Sequence, residues 1–255
     1  MITHEKIRDV LQQHAPLDPY LLDIGRRFSS HGFLTRAALG VYCRLINLVK
    51  VYAEAQYGSI DKLRVLDWGA GKGHISYLMK QAGFNVISCD IVADAIDSSF
   101  GQEIPIITEN AIDIVPLTHP WELPFEDGSF DIVLSFGVLE HVPNDAESMK
   151  EIRRVLCNGG TFFFCFLPYF LSWTQKIAHM RGDFYHPKLY RKSDITHFAE
   201  KSDFLLGPVW HGQLLPKISM GYNSRLETLD RSITFNTPLK YFSTNIEGFM
   251  IAGRG

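Results

Sequence analysis

An acid and three alternating glycines stand in the stretch VLDWGAGKGH: Asp67, then Gly69, Gly71 and Gly73, with Ala70 and Lys72 between the glycines. Glycine permits positive φ and puts no Cβ in the way of a ligand. A turn of this kind that opens a helix also aims free N–H groups at an anion. The chemistry is that of holding a nucleotide-like ligand. Two templates for such ligands fail. A Walker A loop needs glycine at position 66 and Ser or Thr after the lysine, where Leu66 and Gly73 stand. The dinucleotide fingerprint needs its third glycine at position 74, which is His74. Asp90 ends the run NVISCD, one helix and one strand later. An acid about 20 residues past such a turn bonds ribose hydroxyls.

Histidine suits proton transfer near neutral pH, and three histidines qualify by position. His141 follows the strand-like run FDIVLSF in the sequence GVLEHVP and is the leading candidate for a base; the alternative is a histidine that only shapes its loop. His186 lies in RGDFYHPKLY with Tyr185, Tyr190 and Arg191. That polar, aromatic group either recognises a hydroxylated or anionic molecule or forms an ordinary surface loop. His211, in VWHGQLLPK, follows an expected strand. The four cysteines, Cys43, Cys89, Cys157 and Cys165, form no CxxC pair and no metal-ligand spacing. They read as reduced thiols of a cytoplasmic protein, and no metal is expected.

The elements that must position these residues follow from apolar spacing. The chain has 255 residues, 46% of them hydrophobic, enough for one large domain with an extension. A net charge of -3 gives no basic excess for nucleic acid. The uncharged run from Val155 to Trp173 is interrupted by Asn158-Gly159-Gly160 and Pro168, so no transmembrane span is expected. Residues 1–60 have helical spacing, including a long helix from Leu34 that Gly58 stops. From Leu63 strands and helices alternate: LRVLDW, HISYLMKQAG, NVISCD, a helix at IVADAIDSSF, a short strand at IPIIT, FDIVLSF, a helix ending at the NGG turn, and TFFFCFL. Further on, SDITHFAEKSDF reads as a helix with Ser193 as N-cap, and LLGPVW and GFMIAG as strands. The rhythm argues for a parallel sheet with helices on both faces and a ligand at the strands' carboxyl ends.

On DWGAGKG, Asp90, the segment ELPFEDGSFDIVLSFGVLEHVP and the segment EIRRVLCNGGTFFFCF, the sequence resembles the class I S-adenosylmethionine (SAM)-dependent methyltransferases over about residues 62–170. The resemblance implies a Rossmann-like, seven-stranded, mostly parallel α/β sheet flanked by helices. Residues 1–60 would form a helical cap and 61–255 the methyltransferase domain, with a lid insertion at about 170–243. It implies SAM as cofactor, S-adenosylhomocysteine as product, and a cofactor site of Asp67, Gly69, Ala70, Gly71, Gly73, Asp90, Ile91, Ser135, Phe136 and Gly137. Many relatives carry an acid before the fourth strand that bonds the adenine amino group. Here His119 stands at that position, leaving Asp113 or Trp121 as further candidates for the adenine contact. His141 and His186 would be catalytic, and Tyr185, Tyr190, Arg191 and His211 would bind substrate.

The acceptor expected is a small molecule or glycan. The C-terminal segments YHPKLYRKSD, WHGQLLPK and STNIEGFM loosely resemble methyltransferases of bacterial surface-polysaccharide synthesis, which implies O-methylation of a sugar or glycolipid hydroxyl. A quinone-like acceptor and a non-catalytic SAM-binding protein are the rivals. Monomer and homodimer are both open, and the basic, apolar helices of the cap would suit a loose contact with the inner face of a membrane.

Overall fold

The computed structural model describes residues 2–28, 34–91, 105–182, 186–221 and 223–253. Three helices come first: α1 (His4–Gln12), α2 (Pro19–Phe28) and α3 (Arg36–Tyr57). The strands are β1 (Arg64–Trp68), β2 (Asn85–Ile91), β3 (Ile114–Leu117), β4 (Phe130–Phe136), β5 (Leu156–Pro168), β6 (Phe204–His211) and β7 (Asn245–Ala252). Between them lie α4 (His74–Gln81), α5 (Ile106–Glu109), α6 (Asp145–Val155), α7 (Trp173–Met180), α8 (Lys192–Lys201), α9 (Lys217–Met220) and α10 (Ser224–Asn236). One seven-stranded sheet results, in the order β3-β2-β1-β4-β5-β7-β6. Its pairs are parallel from β3 to β5, and β7 runs antiparallel to both β5 and β6. Strand order reverses between β1 and β4, so the crevice of this sheet opens at their carboxyl ends.

Alternate residues of each strand point to opposite faces, and both faces are covered. Val65, Ile132, Leu134, Phe163 and Phe249 pack with residues of α1 to α4. Leu66, Val133, Phe162, Phe164 and Met250 pack with residues of α6 and α8. A parallel sheet buried on both faces needs near-continuous apolar runs, which LRVL and TFFFCF supply.

The helix α3 lies directly on the sheet. Thr35 caps its start by accepting from Ala38 N–H, and Gly58, at φ +82°, ends it. The Tyr52 ring sits 5.1 Å from Phe163 and 4.8 Å from Phe249, and its hydroxyl meets Thr161 Oγ1 at 2.9 Å. Arg44, buried in the same helix, donates to Glu227 Oε1 of α10 at 2.6 Å. Gly40 makes room for this pair, since a Cβ there would lie 2.6 Å from Glu227 Oε1.

Local departures from the expected elements have physical causes. The run IPIIT contributes α5 rather than a strand, and β3 is the following apolar stretch. Short apolar runs do not distinguish helix from strand. Here Asn110 Nδ2 caps Ile106 O, Tyr20 donates to Glu109, and Ile106 is buried. The helix expected at IVADAIDSSF falls, beyond Ile91, outside the described residues. Helix α6 stops at Val155, before the NGG turn. Leu156 already pairs with Phe130, and the register shifts between Phe130 and Ile132. A Cβ on Gly160 would stand 2.9 Å from Cys157 O, so this glycine serves a bulge and not a helix stop. Ser193 lies inside the first turn of α8; Asp194 accepts the Arg191 N–H in the cap.

Asp67 ends up wholly buried on β1. It accepts a hydrogen bond from Ser76 Oγ of α4, and Ser88 of β2 donates to Ser76 in turn, at 2.9 Å. Burial, and next the Asp90 charge, push its carboxyl up to about 7. Below about pH 4 Asp67 is protonated folded or unfolded and leaves stability untouched. As pH rises toward 7 the unfolded chain ionises while the folded chain resists, so stability falls.

Two outcomes are expected from these contacts. Arg44→Ala leaves Glu227 buried without its main partner and should cost about 3 kcal/mol, a Tm loss on the order of 6–12 °C. Arg44→Met with Glu227→Leu should recover most of it in the same thermal scan. Asp67→Asn should flatten the decline of stability between about pH 4 and 7, by on the order of 4 kcal/mol over that range, read by urea unfolding at each pH.

Candidate active site

The three glycines of the β1–α4 turn all have positive φ: +77° at Gly69, +52° at Gly71 and +77° at Gly73. Their surroundings differ. A Cβ on Gly69 would lie 2.3 Å from Val138 Cγ2, and one on Gly73 would lie 2.8 Å from Ile107 Cγ1. A Cβ on Gly71 would meet no described atom within 4 Å. The outer glycines let the turn pack against its own protein, and the middle one faces open space at the sheet's carboxyl edge. The end of β2 is stitched to this turn. Gly69 and Ala70 N–H both donate to Cys89 O, at 2.9 and 3.1 Å. Asp90 accepts from Gly71 N–H at 2.5 Å and from Ile91 N–H at 2.7 Å. An open backbone cradle with a carboxylate on its rim fits a ribose-bearing ligand such as SAM.

The loop after β4 forms the opposite wall. Ser135 is fully buried, and its Oγ has no hydrogen-bond partner among the described residues. The Phe136 ring stands 5.8 Å from that of Phe166. Gly137, at φ +72°, donates to Cys165 O at 3.0 Å. Glu140 then turns inward and is 1% exposed. Its Oε1 lies 3.9 Å from His141 Nε2 and 3.9 Å from His186 Nδ1. The two imidazoles are 5.5 Å apart. Burial pushes the Glu140 carboxyl up to about 8.

Residues 186–190 are strapped onto this loop. Lys188 Nζ donates to Val142 O at 2.7 Å and lies 3.5 Å from Asp145. The Tyr190 hydroxyl donates to Leu139 O at 3.0 Å. Tyr190 N–H donates to Pro168 O at 2.8 Å, which ties the strap to the end of β5. The structure thus brings His141 and His186 together, with Glu140 as the partner that the spacing of histidines does not reveal.

Other expected site residues are placed elsewhere. Tyr190, expected to bind substrate, is 3% exposed and braces the strap instead. The Arg191 guanidinium lies over the Phe170 ring, 3.8 Å from its centre. Tyr185 falls outside the described residues. His211 ends β6 beside Ser243 Oγ, at 3.0 Å, with Tyr169 and Tyr241 edge-on. Burial, then Lys240 and Lys192, lower its pKa to about 4. Trp121 packs edge-on against His119, 4.5 Å between centres, and His119 Nδ1 accepts from Glu122 N–H. Asp113 is exposed just before β3.

A cavity of about 40 Å³ lies at the same sheet edge, between α3, α10 and the ends of β6 and β7. Arg44, Gln213, Glu227, Asp230, Thr234 and Glu247 line it. Asp230 accepts from Leu214 and Leu215 N–H at 3.0 and 2.6 Å, and burial raises its carboxyl to about 6. Sequence reasoning missed this group. Its signal was the polar stripe Glu227, Asp230, Thr234, spaced to lie on one helix face.

Residues 66–164 match a family model described as a methyltransferase domain. The chain is 36% identical over 116 residues to the 2-methyl-6-phytyl-1,4-hydroquinone methyltransferase of Synechocystis sp., a match covering 43% of this chain and 35% of that enzyme. It is 26% identical over 167 residues to the ubiquinone biosynthesis O-methyltransferase of Rickettsia bellii (strain OSU 85-389), covering 60% of this chain and 68% of that one. The crystal structure of a SAM-dependent methyltransferase from Thermotoga maritima shares the fold, with a TM-score of 0.55, 14% identity, and 91% and 98% of the two chains covered. The matched segment runs from within β1 through the glycine turn, Asp90 and the β4 loop into β5, and the strand order agrees with it: residues 66–164 match the methyltransferase domain, set in a fold shared with S-adenosylmethionine-dependent methyltransferases.

Proposed function

We propose that the protein methylates a hydroxyl oxygen of a small hydroxylated molecule, a sugar or glycolipid hydroxyl of surface-polysaccharide synthesis being the favoured acceptor. One observation carries this reading: Glu140, His141 and His186 converge on the loop that follows β4, facing the edge where the glycine turn opens. A hydroxyl must lose its proton at or before methyl transfer. His141, half-exposed beside a buried carboxyl group, takes that proton, and His186 orients the acceptor.

Bound SAM supplies an activated methyl group on a sulfonium. In this reading the Gly69–Gly73 backbone, with Ala70, cradles it, and Asp90 accepts its ribose hydroxyls. Ile91, Ser135, Phe136 and Gly137 line the cofactor's path, with Trp121 beside the adenine. Asp67, buried behind the turn, acts by holding α4 through Ser76 and not by contact.

A quinol-type acceptor is the second reading. The names of the two relatives favour it, as do the Phe136, Phe166 and Tyr42 rings grouped behind the β4 loop. No described helix is long and apolar enough to cross a membrane. Exposed Leu239, Tyr241 and Phe242 suit a cytoplasmic protein touching the inner membrane face, where a lipid-linked acceptor would be met.

The deciding experiment is mass spectrometry of glycan and quinol extracts incubated with the protein and SAM. A 14-dalton-type methyl gain is expected in a glycan fraction, and a gain only among quinols selects the second reading. In the same assay His141→Ala should lower turnover by roughly 100-fold or more with SAM affinity nearly unchanged; wild-type turnover would remove the base assignment. Gly71→Val has room for its side chain, so it should fold with a stability loss of about 1–2 kcal/mol from its positive φ. Calorimetry should detect no SAM binding to it, and wild-type affinity would overturn the cradle.

A further inference from the structure

Two imidazole nitrogens and one carboxylate oxygen, each from a different side chain and all within 4.8 Å of one another, meet at Glu140, His141 and His186. We propose that these three groups bind a divalent first-row cation of the zinc class. Two nitrogens, one oxygen and an open fourth position form a donor set that suits such a cation where chemistry is done on it.

The distances are close to those needed. Ligands at about 2.0–2.2 Å from a tetrahedral ion stand roughly 3.3–3.5 Å apart, against 3.9 Å from Glu140 Oε1 to each histidine. Small side-chain rotations would close that gap, and the His141 side chain is 38% exposed. Glu140 itself points to a cation. It is 1% exposed, and its Oε2 has no hydrogen-bond partner among the described residues. Among the described residues, the basic side chains within 4.0 Å of its carboxylate are these two histidines. A buried carboxylate is costly unless something positive satisfies it.

The scaffold holds the ligands in place before any ion arrives. Glu140 and His141 are adjacent on the β4–α6 loop, and His186 comes from the strap beyond β5. Lys188 and Tyr190 bond the main chain at Val142 and Leu139, fixing the two segments against each other. Such outer contacts hold metal ligands in their binding geometry. Cysteine spacing, on which the expectation of no metal rested, cannot see a site assembled from one adjacent pair and one distant histidine.

The consequence for chemistry rests on the functional reading above. A hydroxyl oxygen on the open position would lose its proton to water more readily. Its oxygen–carbon bond then forms as the donor's sulfur–carbon bond breaks, and the cation is unchanged. With the ion bound the histidines are ligands; without it His141 is the proton acceptor.

The test uses the untagged full chain, stripped with a chelator, loaded with Zn2+ or Co2+ and desalted. Elemental mass spectrometry should find one equivalent, and the Co2+ form should show the visible absorption of a tetrahedral site. His186→Ala and Glu140→Gln, checked for folding by circular dichroism, should each weaken Zn2+ binding tenfold or more. Cys157→Ser should bind as wild type. Less than a tenth of an equivalent in the wild-type chain, or full binding by both ligand variants, overturns the site. Failure of metal binding while His141→Ala still abolishes methyl transfer leaves the functional reading standing. One bound equivalent with no transfer to any extract does the reverse.

Discussion

The close approach of apolar side chains to the bare backbone of the β1–α4 turn is the constraint on which the rest of the crevice depends. Gly69 lies where a side chain would overlap Val138, and Gly73 where one would overlap Ile107. That pressing together is what brings the β4 loop within reach of the donor cradle. The same turn is drawn toward β2 by Cys89 O and Asp90. Three strands are therefore pinned at a single point, and Gly71 is left facing outward. A polar chain from Asp67 through Ser76 to Ser88 backs the turn from behind. Its raised carboxyl pKa is the cost of keeping this support dry.

The opposite wall of the crevice, the β4 loop and the 186–190 strap, is built by a different principle. Here long-range side-chain bonds do what tight packing does at the glycine turn. Lys188 and Tyr190 reach main-chain oxygens of the β4 loop, and Arg44 reaches Glu227 across the sheet edge. Main-chain oxygens accept from any donor of suitable length, so the strap can change its other residues without losing its seat. The glycine turn has no such freedom, because its geometry needs the absence of side chains at Gly69 and Gly73.

Much of this was legible in the sequence, and the reasons differ by region. Strands buried on both faces are written as unbroken apolar runs, so β1, β4 and the core of β5 stood out. The long helix α3 was marked at both ends, by Thr35 and Gly58. The short α5 was not legible, because its helical form depends on Tyr20, Asn110 and the burial of Ile106, and none of these is local patterning. At the site, the glycines and Asp90 carry their meaning in spacing. His141 and His186 were singled out by type, but their meeting at Glu140 depends on a strap 40 and more residues away in the chain. Tyr190 was expected at the substrate, and its bond to Leu139 O was not legible, because a phenol that bonds a main-chain oxygen looks, in sequence, like one that bonds a ligand.

The placement of β7 has a consequence for how the molecule comes into being. It is the last strand in chain order, yet it lies between β5 and β6 and carries Phe249 into the core beneath Tyr52. Strands β1 to β5 can pair as they are made, each beside a parallel neighbour already present or soon to follow. Strand β6 has no partner until β7 slides into the gap, and loop closure over such separations is slow. The parallel half of the sheet can therefore mature during synthesis, whereas its antiparallel edge waits for the chain's final segment.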